Sequence, residues 1–552
     1  MKISVFAANG SQLGKSWDIK TGTGAKNWHG LISRQMLSRA GGRLSIKCAV
    51  PIKDIHGYWT PDLFRPKMQL DWNIRFNCAA HRNFPFIVFF NQAQENKGCY
   101  YLDNLVDDTI VSAAMNQQSS EYDLCFEIAV LPETKEFSFH AGFQQIPWTD
   151  TPKLLRKNCT QKKAPHYPAA AWLPVYCTWY ARHAALDIDY LDTNASLAAE
   201  LGCGTFIVDD GWCIDETKRV TPETLPTWYD RIGDWQLSKK KLPGFKEHVA
   251  KAQKMGLKYL LWVSPFFVGI RSSLYKELTG KSDFMSKVHE GYRVFDPNNE
   301  KAAALSQERL LATMRDYKLD GLKIDFVDAV PQSPEQPRGR TVLRYMQTLT
   351  DEIKRHKKDA LIEFRQYYAT PLMSSLGTQF RAGDVPFDYL ENIHRIAQIR
   401  VVLGDRVPVH ADPVYWHTEE SPLNVARHMI ASLAGVPMLS MDLAALPKAQ
   451  MSVVAHYLAF YLEHLETFIN GEWEIKYGFD HLSFVSVSAK NERIIILLNA
   501  AAFEESAAGF KGELHVLNLS NASLCQKGLA FDCSGKLLKK APAPCGGRWA
   551  SQ

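Results

Sequence analysis

Lys323 and Asp325 close the apolar run Leu319-Asp320-Gly321-Leu322-Lys323-Ile324-Asp325-Phe326 with opposite charges two positions apart. Alternate side chains along a strand share a face, so this spacing points the ammonium and the carboxylate the same way. A carboxylate so placed, with a cation beside it to favour its ionised form, is a candidate nucleophile at the rim of a sheet. Asp384 closes a second apolar-flanked strand about sixty residues later. Two carboxylates on neighbouring strand ends are the working parts of a double displacement at a glycosidic carbon. One attacks, while the other donates a proton and later recovers one from water.

Such a pair needs a scaffold that brings strand ends together. From about 170 to 465, short apolar segments alternate with stretches of helical period. Strands are predicted near 173–179, 204–209, 258–264, 320–326, 360–365, 378–383, 407–411 and 437–442. Phe245, Val249, Ala252 and Met255 recur at helical spacing, as do Val342, Met346, Leu349 and Ile353. Ser421-Pro422 reads as an N-cap followed by proline at the first helical position. Eight strands with helices between them imply a (β/α)8 barrel, whose chemistry sits at the C-terminal strand ends. The polar residues there are Trp179 after strand one, Asp209-Asp210-Gly211-Trp212 after strand two, and Lys323 and Asp325 on strand four. Glu363-Phe364-Arg365-Gln366 ends strand five, Asp384 follows strand six, and His410 and Asp412 follow strand seven.

The flanks read differently. Residues 1–165 hold short runs rich in β-branched and aromatic residues, such as Phe86–Phe90 and Tyr122–Val130, bounded by turn formers. Residues 469–552 return to alternating strands, for example Ser483–Ser488 and Arg493–Asn499. The expected fold is therefore α/β and multidomain. An N-terminal β-sandwich (1–165) precedes a central (β/α)8 barrel (166–468) and a C-terminal antiparallel β-domain of sandwich form (469–552), with a loosely held tail after Lys540.

In 552 residues, 46% are hydrophobic and 22% charged, with a formal net charge of +5. That balance fits a soluble globular chain and gives no case for nucleic acid or a membrane as partner. The first ten residues do not read as a signal peptide, and no apolar run has the length of a membrane span. The eleven cysteines are scattered without a CxxC pair, which predicts reduced thiols, a cytoplasmic location and no metal site.

The aspartate pair at 209–210 suits hydroxyl binding, and a tryptophan offers an apolar face to a sugar ring. Each also has a plain structural use, as helix cap and turn or as packing. Taken together, the motifs resemble glycoside hydrolase family 36, the retaining α-galactosidases. The resemblance rests on Phe206–Trp212, Gly233-Asp234-Trp235, Lys241–Phe245, Gly256–Trp262, Val294–Pro297 and Lys323-Ile324-Asp325, in order, over roughly 170–445. It implies Asp325 as nucleophile and Asp384 as acid/base. It further implies Asp209 and Asp210 as hydroxyl acceptors, Trp235 as the stacking ring, Lys323 as a substrate contact, and no metal or organic cofactor.

Two departures bear on specificity. The family's cysteine and glycine cluster after strand five is replaced by Glu363–Tyr368. Its Ser-Asp-Asn-Thr-Asp motif is replaced by Gly383-Asp384-Val385-Pro386-Phe387-Asp388, which makes Asp388 a rival for Asp384. Val385, Pro386 and Phe387 are expected to give Asp384 an apolar setting that keeps its proton. Arg365 could read an anionic substituent or form a structural ion pair with Glu363 or a neighbouring acid. The expected activity is hydrolysis of a terminal α-galactoside in an oligosaccharide or other glycoside. The alternatives are the same machinery on an N-acetylgalactosaminide or anionic sugar, transglycosylation, and a silent carbohydrate-binding protein. Homo-oligomers are allowed, and Trp179, Asp388 and His410 are further candidate substrate contacts.

Overall fold

The structure is a computed structural model that describes residues 1–552 except 20–26, 160–165, 216–227, 279, 281–282, 540–541 and 552. The expected boundary at 165 lies outside the described residues.

The N-terminal region pairs a six-stranded with a five-stranded antiparallel sheet. Strand Arg43–Pro51 alternates, burying Leu44, Ile46, Cys48 and Val50 between the sheets. Phe86–Phe90 is buried throughout, because Ile87 and Phe89 face the sandwich core while Phe86, Val88 and Phe90 face the barrel. An unbroken apolar run here marks a strand covered on both faces.

All eight predicted barrel strands form, each shorter than its apolar run. They are Val175–Cys177, Thr205–Val208, Lys258–Val263, Gly321–Ile324, Leu361–Arg365, Gln379–Arg381, Val409–His410 and Met438–Leu439. The first seven strands pair consecutively in parallel, and the first also pairs with the eighth. The seventh and eighth close the ring through backbone bonds of 2.7 Å (Val436 N to Val409 O) and 2.8 Å (Val414 N to Met438 O). Outside the ring, helix Gly339–His356 buries Val342, Met346, Leu349 and Ile353. Helix Phe245–Lys254 buries Phe245, Val249 and Ala252, whereas Met255 falls at its C-cap and is exposed. A hairpin of Phe267–Gly269 with Tyr292–Val294, not anticipated, lies between strands three and four.

The last region forms one seven-stranded sheet, antiparallel except where Glu492–Leu497 pairs in parallel with Glu513–Asn518. The short helical turns at Ala500–Ala502 and Phe503–Ala507 carry the chain back to allow that pairing. Val485, Val487, Ile494 and Ile496 face the barrel; Phe484, Ile495 and Leu497 pack under Phe503 and Trp549. The tail is not loose where it is described. Ala543 bridges to Leu524, and Arg548–Ala550 adds a strand between two others. No helix among the described residues is long and apolar enough to cross a membrane, and the eleven cysteines are free thiols.

Candidate active site

Asp325 stands one residue past the fourth strand and is only 6% exposed. Its Oδ1 accepts from the Phe326 N–H at 2.9 Å and Arg365 Nη1 at 3.1 Å, and its Oδ2 from Trp262 Nε1 at 3.1 Å. Burial alone would raise this carboxyl, but Arg365, then Lys323 and Arg381, more than offset it and hold Asp325 below the usual range. It is an ionised carboxylate with three donors fixing its plane. The turn depends on Phe326, whose φ of +54° puts a non-glycine residue in the left-handed region. That costs about 1–2 kcal/mol. Phe267 stacks on its ring at 5.1 Å, and Trp262 and Tyr229 pack edge-on against it.

Lys323, on the same face two residues earlier, donates to Asp209 Oδ2, across from the second strand. Burial would lower this ammonium, yet the Asp209 charge carries it above its ordinary value. Asp209 also accepts from Cys177 Sγ at 3.0 Å and from the Asp210 N–H at 2.8 Å. Asp210 accepts from Trp228 Nε1 at 2.6 Å, and burial, reinforced by the Asp209 and Asp325 charges, pushes it up to about 7. Among the predicted residues, Lys323, Asp209 and Asp210 thus form one bonded group and Asp325 and Arg365 another, and the Lys323 charge acts on Asp325 across the gap. Arg365 takes the second form of the expected ion pair, with the neighbouring acid Asp325 and not Glu363 as its partner. Strand pairing explains this: Glu363 turns toward Gln379 of the next strand, 2.8 Å away, while Arg365 reaches back over the end of strand four.

Arg381 is the centre of the other half. It is 2% exposed, and its Nη1 donates to Asp384 Oδ1 at 2.8 Å, Asp412 Oδ1 at 2.5 Å and the Ala382 carbonyl at 2.9 Å. Asp384 therefore lacks the apolar setting expected of it. Its side chain is 45% exposed, Phe387 points outward, and burial is overridden by Arg381, Arg365 and Lys323, which hold Asp384 well below the carboxylate range. Asp412 also accepts from Tyr180 OH at 2.7 Å and the Val385 N–H at 2.8 Å. Its complete burial nonetheless pushes it up to about 7, the Arg381 charge opposing.

Three predicted contacts are corrected. Trp235 is 3% exposed and packed against Trp212 and Trp262, so its ring faces protein and not an open wall. Its φ of +52° places its backbone in the left-handed region. His410 is fully buried, with Nε2 2.8 Å from the Ala171 carbonyl, and burial lowers it to about 4. It fills the barrel interior beneath the rim. Asp388 is exposed and caps helix Tyr389–Leu403, accepting from the Glu391 N–H at 2.8 Å. Trp179 is half-buried at the start of a short helix, its ring 4.2 Å from His183. Sequence reasoning missed Trp262, Trp228 and Arg381. Arg381 carried a signal, a charge inside the predicted strand 378–383, whereas Trp262 entered only as the last residue of the Gly256–Trp262 motif.

The Melibiase family model matches residues 153–337. This span contains Asp209, Asp210, Lys323 and Asp325 and stops before Arg365, Arg381 and Asp384. The α-galactosidase Mel36A of Lactobacillus acidophilus is 28% identical over 153 residues, 27% of this chain and 19% of that protein. AgaA of Geobacillus stearothermophilus is 31% identical over 102 residues, 18% of this chain and 12% of that one. The sequence match thus spans a fifth or less of these relatives' length. In fold the likeness is wider. The α-galactosidase AgaB of Geobacillus stearothermophilus superposes with a TM-score of 0.63 at 14% identity, covering 98% of this chain and 83% of AgaB. AgaA in complex with raffinose gives 0.61 at 14% identity, covering 88% and 78%. Residues 153–337 therefore resemble the Melibiase family in sequence, in a chain that shares the fold of the glycoside hydrolase family 36 α-galactosidases.

Proposed function

We propose that the protein is a retaining, exo-acting α-glycosidase, an α-galactosidase by its resemblance, working through a glycosyl ester on Asp325. The observation that carries this reading is Asp325 itself, ionised, buried and fixed by Trp262, Arg365 and the Phe326 N–H. A carboxylate oxygen of Asp325 attacks the anomeric carbon as the glycosidic C–O bond breaks, and Asp384 delivers a proton to the departing oxygen. Water then attacks the same carbon, gives its proton to Asp384 and releases Asp325 as carboxylate. The donors on Asp325 stabilise that second leaving group. Asp209 and Asp210 supply acceptor oxygens for sugar hydroxyls beside it.

Arg381 bears on the acid step. In the free protein it holds Asp384 ionised, so protonation of Asp384 requires the guanidinium to lean toward Asp412, which it already contacts. Asp384 and Asp412 therefore titrate as a coupled pair about a permanently charged Arg381. Arg365 is engaged by Asp325, which favours a neutral glycone over an anionic one. Complexes of AgaA with raffinose and with stachyose support an oligosaccharide as the substrate. Free thiols throughout support a reducing, cytoplasmic setting.

The test is a panel of aryl α-glycosides (galactoside, N-acetylgalactosaminide, glucoside and an anionic sugar), followed by Asp325→Ala on the best substrate. Turnover should collapse in the variant, and azide with an activated leaving group should yield the β-configured glycosyl azide. Wild-type rates in Asp325→Ala would remove the proposal.

A further inference from the structure

His464, Glu492 and His515 meet where the last barrel helices touch the C-terminal sheet. His464 sits at the junction of helices Lys448–Glu463 and Leu465–Asn470. Glu492 opens one strand, and His515 lies on the next, which pairs with it in parallel. His464 Nδ1 is 2.7 Å from Glu492 Oε1, and His515 Nε2 is 3.6 Å from the same oxygen. Glu513 Oε1 approaches His515 Nε2 to 3.2 Å. The donor atoms of His464, Glu492 and His515 all lie within 4.8 Å of one another. The His515 side chain is only 4% exposed, and its Nε2 has no hydrogen bond of acceptable geometry despite these neighbours.

We propose that this cluster is a zinc site, with His464 Nδ1, His515 Nε2 and Glu492 Oε1 as ligands and Glu513 or water as the fourth. Two imidazoles with carboxylates are a borderline donor set that suits Zn2+ over Ca2+ or Mg2+. Metal–donor lengths of about 2.0–2.2 Å in a tetrahedron require donors about 3.3–3.5 Å apart. The observed separations straddle that value, so small side-chain shifts suffice. Glu492 is oriented from behind by Thr467 Oγ1, which donates to its other oxygen. One adjustment is required. Arg548 Nη1 lies 3.0 Å from His515 Nδ1, the atom that carries the proton once Nε2 binds metal. The guanidinium must turn aside, and the rings of Phe460 and Phe531, over which it already lies, offer it a place. The ion would clamp the C-terminal sheet to the barrel, away from the candidate catalytic network.

The experiment is zinc titration of the chelator-treated full chain by calorimetry, with Co2+ absorption to report geometry. One ion per chain, a tetrahedral Co2+ spectrum and a raised Tm are expected. His515→Gln and the isosteric Glu492→Gln should each weaken binding by more than the roughly 10–100-fold typical of losing an outer partner. Asp325→Ala should bind as the wild type does. A near-normal Tm in chelator for either ligand variant separates lost binding from lost folding. Absence of saturable binding, unchanged affinity in both ligand variants, or loss of binding in Asp325→Ala would each overturn the proposal.

Discussion

Each candidate catalytic carboxylate has its own arginine, and that arrangement sets the pH behaviour. Arg365 is the strongest influence opposing burial at Asp325. Removing it in Arg365→Met should raise the Asp325 pKa, so the acid limb of kcat/KM moves to higher pH. The pH profile on an aryl α-galactoside measures this; a limb that stays in place means Arg365 does not tune the nucleophile. Asp412 competes with Asp384 for Arg381. Asp412→Asn should remove the competing charge and leave Arg381 more fully to Asp384, deepening its ionisation and weakening it as an acid. Rates on poor leaving groups should then fall up to about a hundredfold, within the range of general acid catalysis, while activated aryl substrates lose much less. Equal losses on both substrate classes would assign Asp412 to folding instead.

At the scale of elements, the barrel was legible because its strands and helices obey local periods. The eight apolar runs each became a strand, and Ser421 caps helix Pro422–Ser432 by accepting from the Asn424 N–H. Ser421→Ala should cost about 1 kcal/mol in denaturant unfolding and leave kcat untouched. Partners that meet only when the ring closes were not legible. Arg381 gathers Glu363, Asp384 and Asp412 from the ends of strands five, six and seven, and no short window holds that set. Trp235 fails for a related reason: whether a ring lines a wall or fills a core is decided by how its loop folds back. Gly321 shows how tightly the ring is packed. A Cβ there would sit 1.8 Å from the Leu361 carbonyl oxygen, which is backbone and cannot yield. Gly321→Ala should destabilise by about 1–3 kcal/mol or more and disturb both strands that carry the site, lowering Tm and kcat together.

At the scale of the molecule, the N-terminal sandwich reaches into the segment that follows the nucleophile. His81 Nε2 contacts the Val330 carbonyl at 2.9 Å, and Arg340 pairs with buried Asp107 at 2.7 Å. Asp108 goes furthest. Its carboxylate accepts from the N–H groups of Ser333 at 3.0 Å, Arg338 at 3.2 Å and Gly339 at 2.7 Å, and so caps the barrel helix Gly339–His356 from another domain. Arg338, the helix's own N-cap residue, makes no side-chain cap bond, so the sandwich supplies what the barrel lacks. Asp108→Ala would leave buried donors unpaired and should cost about 1–3 kcal/mol. It should also loosen the path from Asp325 to the helix, lowering kcat although Asp108 is remote from the substrate. Asp108→Asn keeps an acceptor and isolates the charge. Burial, opposed by the three N–H bonds, pushes Asp108 up to about 6, above its ordinary value of about 3.9. The folded state therefore holds this proton more tightly than the unfolded chain. Its contribution is fully present below about pH 4 and is lost as pH rises through about 6. The Tm of the wild type should accordingly fall relative to Asp108→Asn between those limits. A constant difference would mean that Asp108 does not titrate in that window.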